Sequence, residues 1–123
     1  MQGRTDGTPD RRGLTRLREL RDAGVPILVG SDNVGDSFCP LGAHDPMAAL
    51  HLACLAGHLD PPLGRWLTSI ATDAARALGL EATHIEDMNL EDLLAVPSAH
   101  QGDLLSGRAT RTPLRNIIKD DDI

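Results

Sequence analysis

Aromatic residues are almost missing from this chain: it has one Phe, one Trp and no Tyr among 123 residues. A core must therefore be assembled from Leu, Ala, Ile and Val, without the large areas that aromatic rings bury. The two cysteines, Cys39 and Cys54, are too few for a disulfide scaffold and fit a reduced, cytoplasmic protein. No apolar run approaches the roughly 20 residues of a membrane span, and the polar opening MQGRTDGTPDRRG lacks the apolar segment of a secretion signal. Positive charge is also short. The formal net charge of −6 argues against a nucleic-acid partner, which needs a basic surface. The basic residues Arg11, Arg12, Arg16, Arg18 and Arg21 recur at helical spacing with Glu19 and Asp22 among them, as on a solvated helix face. The expectation is a cytoplasmic chain with neither a membrane nor a nucleic acid as partner.

What is present fits one domain, yet falls well short of the roughly 250 residues of a complete (β/α)8 barrel. Residues 1–13 read as a loop. Leu14, Leu17 and Leu20 then predict a helix over 14–23, with Thr15 as a possible cap and Gly24 at its end. Residues 25–29, VPILV, form a continuous apolar run that predicts a strand covered on both faces. A long loop over 30–44 follows. Asp45 and Pro46 mark the start of a second helix, MAALHLACLAGHL, broken by Pro61 and Pro62. LGRWLTSIAT reads as a third, and Thr72-Asp73 re-caps a short fourth that ends at Gly79. The apolar residues from 44 to 80 are mostly Ala and Leu, which suits helices packed against a larger body. From about residue 81 the chain predicts short strands, at 93–96 and 117–118, of a small antiparallel sheet.

The strand over 25–29 stops at Gly30-Ser31-Asp32-Asn33. These are common turn residues, but in parallel α/β proteins the carboxyl end of a strand is also where ligands bind and chemistry is done. Residue types alone leave both readings open.

The longer stretches QGRTDGTPDRRGLTRLREL, VPILVGSDNVGDSFCPLG and LTSIATDAARALGL resemble the C-terminal portion of the cytosine deaminase-like amidohydrolases, metal-dependent enzymes on a (β/α)8 barrel. There a QGR-x-D-x-x-P-x-RRG-[IL]-TR stretch follows strand 7, and an aspartate ends strand 8 in a G-[SH]-D-[ND]-V-x-D-x-[FW]-x-P-x-G context. The resemblance implies an α/β fold: the C-terminal part of such a barrel (strand 8 and flanking helices) over residues 1–80, and part of the closing β-domain over 81–123. It implies Asp32 as metal ligand and proton acceptor. Asn33 and Phe38 become neighbours of the substrate, at positions often held by a second Asp and by Trp, and Asp36 becomes a brace for the loop. Arg11, Arg12 and Arg16 take structural roles.

The function so implied is hydrolytic deamination of a pyrimidine or related small heterocycle at a C–N bond, with a divalent metal, Zn or Fe, in the full-length enzyme. The rest of the family's ligand set cannot be placed on this chain. His44, His51, His58, His84 and His100 contain no HxH pair, and His51 and His58 stand about 10 Å apart on one helix face. A zinc site normally takes three protein ligands or more. The expectation is a fragment that holds no metal alone, is inactive alone, and self-associates through unpaired strand edges. The alternative is a non-catalytic remnant or an assembly subunit.

Overall fold

The computed structural model describes residues 13–37, 39–59, 61, 63–106 and 110–118. Its first helix, α1, covers Leu17–Asp22. It is shorter than the leucine spacing predicts, because Thr15 caps nothing with its side chain. Only the Thr15 carbonyl engages the helix, accepting from the Leu17 N–H at 2.8 Å. Arg16 pairs with Glu19 at 2.7 Å across the first turn, and that hydrogen bond draws the exposed Glu19 carboxyl below its ordinary range.

The second helix, α2, spans Pro46–Ala56 and begins as its sequence predicts. The Asp45 carboxylate accepts from Met47 N–H at 2.9 Å and Ala48 N–H at 3.4 Å, and Pro46 occupies a first-turn position where a missing N–H costs nothing. Its other end is less ordinary. The left-handed backbone usually taken by glycine belongs to His58, at φ +48°. Gly57, one residue earlier, is required for room: a Cβ there would meet the Ala53 carbonyl oxygen at 2.8 Å. The Leu59 N–H then bonds back to the Cys54 carbonyl at 3.0 Å and closes the turn.

Helix α3, Gly64–Leu67, continues as a 3-10 turn over Thr68–Ile70. Helix α4 follows at Thr72–Ala77, and the chain turns away near Gly79. The predicted re-cap is not used as a cap. Asp73 instead sits in the first turn of α4, where the Thr68 hydroxyl and then Arg76, at 2.9 Å, pull its carboxyl below the usual range.

These helices meet at a cluster of Leu50, Leu59, Trp66 and Leu105, ringed by Leu17, Val29, Met47, Cys54, Leu63, Leu67 and Ile70. Trp66, 1% exposed, occupies its centre, so the single tryptophan does what the composition assigned to aliphatic residues alone. Burying a side chain of this size contributes on the order of 2–3 kcal/mol. The Arg21 guanidinium lies 4.6 Å from the ring centroid and roofs the cluster. Burial pushes the Cys54 thiol up, as expected of a small apolar residue against this core.

Residues 25–29 are not the doubly covered strand the apolar run predicts. Among the described residues no strand lies beside them, and a ladder needs a neighbour's main-chain groups. Burial alternates instead: Ile27 is 9% exposed and Val29 touches the core, while Val25 and Leu28 are 44% and 46% exposed. The Val29 N–H donates to the Ser69 carbonyl at 3.2 Å, which ties the segment to the end of the 3-10 turn.

The later strands form a two-stranded antiparallel sheet of β1, Leu94–Ala95, and β2, Thr112–Pro113, in the register Leu94↔Pro113 and Ala95↔Thr112. The second strand is therefore not at 117–118. Ile117 and Ile118 follow a 3-10 turn over Leu114–Asn116 and bond back to the Leu114 carbonyl. Between the strands lies α5, Gln101–Leu105, whose Leu105 reaches the core beside α2. Arg111 pairs with Asp45 at 3.0 Å and fastens the approach to β2 to the start of α2. No helix among the described residues is long and apolar enough to cross a membrane.

Candidate functional site

The loop over 30–44 leaves the core at Val29 and returns at Asp45. Asp32 stands on it with an exposed side chain and a left-handed backbone, φ +55°. Aspartate tolerates that region better than most residues, yet a non-glycine residue there still marks a constrained turn. Asp32 is exposed at this point, although the 25–29 segment that leads to it is not the strand expected.

Asn33 turns from the solvent toward a groove of about 600 Å³ beneath the loop. The groove runs between the loop, residues 28–31 and one flank of α2. Leu17, Val34, Leu52 and Ala53 supply much of its apolar wall, and Ser31, Asn33 and Cys39 add polar atoms. Asp32 does not line it. The two adjacent candidates therefore face different surroundings, one the open solvent and one the groove.

Asp36 organises the loop. Its Oδ2 accepts from Asn33 Nδ2 at 2.6 Å, its Oδ1 accepts from the Cys39 N–H at 2.8 Å, and its own N–H donates to the Cys39 carbonyl at 3.1 Å. The Cys39 thiol donates to the Leu41 carbonyl at 3.3 Å. The reading of Asp36 as a brace anticipated the first part of this. Cys39 was not singled out, although the Asp-x-x-Cys spacing is that of a side-chain-closed turn, which is the signal that could have found it. Phe38 lies outside the described residues.

No group of three or more His, Cys, Asp or Glu side chains that could hold a metal ion occurs among the described residues. Asp32 could contribute one oxygen donor to a site completed by other groups.

No family model matches the chain. Over 80 residues it is 42% identical to a pterin deaminase from Rhizobium rhizogenes, a match that covers 64% of this chain and 18% of that protein. Over 75 residues it is 40% identical to an imidazolonepropionase from Verminephrobacter eiseniae, covering 59% of this chain and 15% of that one. The fold superimposes on a crystal structure of 5-methylcytosine deaminase from Klebsiella pneumoniae, liganded with phosphonocytosine. The TM-score is 0.68 at 28% identity, over 90% of this chain and 28% of that one. The matched region spans less than a fifth of the length of either curated relative.

Proposed function

From a chain that belongs to the cytosine deaminase-like members of the amidohydrolase superfamily, we propose part of a metal-dependent hydrolase acting on C–N bonds other than peptide bonds. The substrate is a pyrimidine or a related small heterocycle, and the setting is cytoplasmic. Residues 1–80 correspond to the C-terminal portion of the barrel and 81–123 to part of its closing β-domain. The observation that carries this reading is Asp32, an exposed carboxylate held in a constrained backbone at the end of the 25–31 segment, beside a groove that its neighbour Asn33 lines.

In hydrolytic deamination the oxygen of water bonds to the ring carbon, one water proton passes to the departing amine, the other ends on the ring nitrogen beside the new carbonyl, and the C–N bond breaks to release ammonia. Asp32 suits the first proton transfer. As a carboxylate it accepts a proton from the attacking water and can pass it to the departing amine. Asn33, and Phe38 from its place in the sequence, contact the heterocycle. A divalent ion, Zn or Fe, would lower the pKa of the water when bound. The described residues offer that ion one oxygen donor and not the full set a zinc site takes, so the chain on its own is assigned no turnover.

The test is ammonia release from cytosine and from pterin, with Zn or Fe supplied. The 123-residue chain alone should be silent. In the enzyme assembled with the remaining donors, Asp32→Asn should slow turnover by about 10² to 10⁴ while metal content falls only modestly. Near-normal rates with metal bound would remove Asp32 from the proton path. Asn33→Asp should change which heterocycle is accepted and leave turnover in place.

The same incomplete donor set favours a second reading, a non-catalytic remnant or an assembly subunit. In either case the 25–29 segment, which has no strand beside it among the described residues, and the open groove make self-association the expected behaviour of the isolated chain.

A further inference from the structure

The contact between Asn33 and Asp36 fixes more than the path of the loop. An ionised carboxylate only accepts hydrogen bonds, so the group that faces Asp36 Oδ2 at 2.6 Å is the nitrogen of the Asn33 amide and not its oxygen. Asp36 is itself held by Cys39 through two main-chain contacts, at 2.8 Å and 3.1 Å. It is therefore not free to swing away from Asn33. The pair is partly buried, and Asn33 lines the groove together with Ser31 and Cys39.

We infer that Asp36 is a positioning residue for ligand recognition, acting through Asn33; the inference rests on the reading of loop 30–44 as a substrate site. With one N–H engaged by Asp36, Asn33 is left with its carbonyl oxygen and a single N–H. The amide cannot turn over to offer both of its N–H groups to a ligand. The groove is thereby selective for heterocycles whose edge carries an amino or ring N–H donor. An edge made only of acceptors leaves the Asn33 oxygen without a partner.

Side-chain amide NMR of the 123-residue chain reads this directly, with cytosine and unsubstituted pyrimidine as probes, the second carrying ring-nitrogen acceptors and no N–H. The Asn33 NH2 signals should respond to cytosine at about 3- to 10-fold lower concentration, the worth of one neutral hydrogen bond. Asp36→Asn can still close the turn onto the Cys39 N–H, but it can present either an oxygen or an NH2 group to Asn33. The Cys39 amide signal should therefore stay in place while the preference for cytosine disappears. Full preference in Asp36→Asn would reduce Asp36 to a brace and overturn the inference. Should that variant not fold, the exchange Asn33→Asp with Asp36→Asn restores a donor at 36 and an acceptor at 33. The preference should return there, read on the side-chain amide that the exchange introduces at 36, and its absence overturns the inference. A wild-type Asn33 that responds equally to both probes, or to neither, also overturns it. Failure of the hydrolase reading is seen separately, as no ammonia release by the assembled enzyme while the Asn33 response is intact.

Discussion

The two sides of α2 are made of the same residue types and meet opposite surroundings. Leu50 is 0% exposed against Trp66, Leu59 and Leu105, whereas Leu52 and Leu55, on the same helix, are 65% and 62% exposed. A surface helix ordinarily carries a polar stripe opposite its apolar one, but the only polar side chain between Pro46 and Ala56 other than the Cys54 thiol is His51. The difference teaches that burial on α2 is decided by which neighbours the chain supplies and not by the helix's own pattern. One flank is covered by α3 and α5, and the other forms a wall of the groove beside Asn33.

The strongest way to break this comparison is at Leu50. Leu50→Ala leaves a cavity in the cluster and should lower unfolding free energy by about 2–5 kcal/mol, read as a shift in the urea midpoint. A shift as small as that of an exposed leucine would mean the two flanks are equally uncovered in solution.

Asp45 comes next, because both flanks depend on where α2 starts. Asp45→Ala should cost about 1 kcal/mol through the lost cap, and it also leaves Arg111 without its partner. The effect has a pH signature. Desolvation pushes the Asp45 carboxyl up, but the Arg111 guanidinium and the N–H groups of Met47 and Ala48 outweigh it, so its folded-state pKa lies below the ordinary aspartate value. A carboxyl depressed on folding stabilises the fold above its unfolded pKa and ceases to do so as pH falls through its folded one. The gap in urea midpoint between the wild type and Asp45→Asn should therefore be open near neutrality and close in strong acid. A gap that widened on acidification would show the charge to be unfavourable in place.

The smallest effect on stability belongs to Leu52. Leu52→Glu should change unfolding free energy by no more than about 0.5 kcal/mol, while sedimentation or light scattering shows less self-association. A large loss of stability would mean that this flank is covered after all.

What could be read from the sequence was what local chemistry decides. Asp45 and Pro46 form a cap and a first turn within four residues, and the helix after them lies where they place it. The loop over 30–44, with an exposed acid at 32, was legible for the same reason. Pairing is not local. An apolar run such as 25–29 says that a segment would tolerate a sheet on both faces, but not whether strands stand beside it. The antiparallel sheet was expected, yet Thr112–Pro113 took the place of residues 117–118, because two-residue strands carry too little pattern to set a register. The Asp45–Arg111 pair and the Ser69 carbonyl that holds Val29 join distant positions and leave no trace in spacing. At the site, the brace at Asp36 followed from the family resemblance, but the fixed orientation of the Asn33 amide depends on geometry.

The end of α2 carries a lesson for engineering. Helices commonly close with glycine in the left-handed position, and here glycine stands one residue early, with His58 carrying the dihedral at φ +48°. The two positions are therefore unequal targets for thermostabilisation. Glycine at 57 is needed because a Cβ would strike the Ala53 carbonyl, but the side chain at 58 is exposed and carries avoidable conformational strain. His58→Gly could recover up to about 1 kcal/mol of that strain, less the extra freedom glycine gives the unfolded chain. The melting point of the protein can then be tuned at a helix end whose side chain points into water, with no substitution in the loop that bears Asp32.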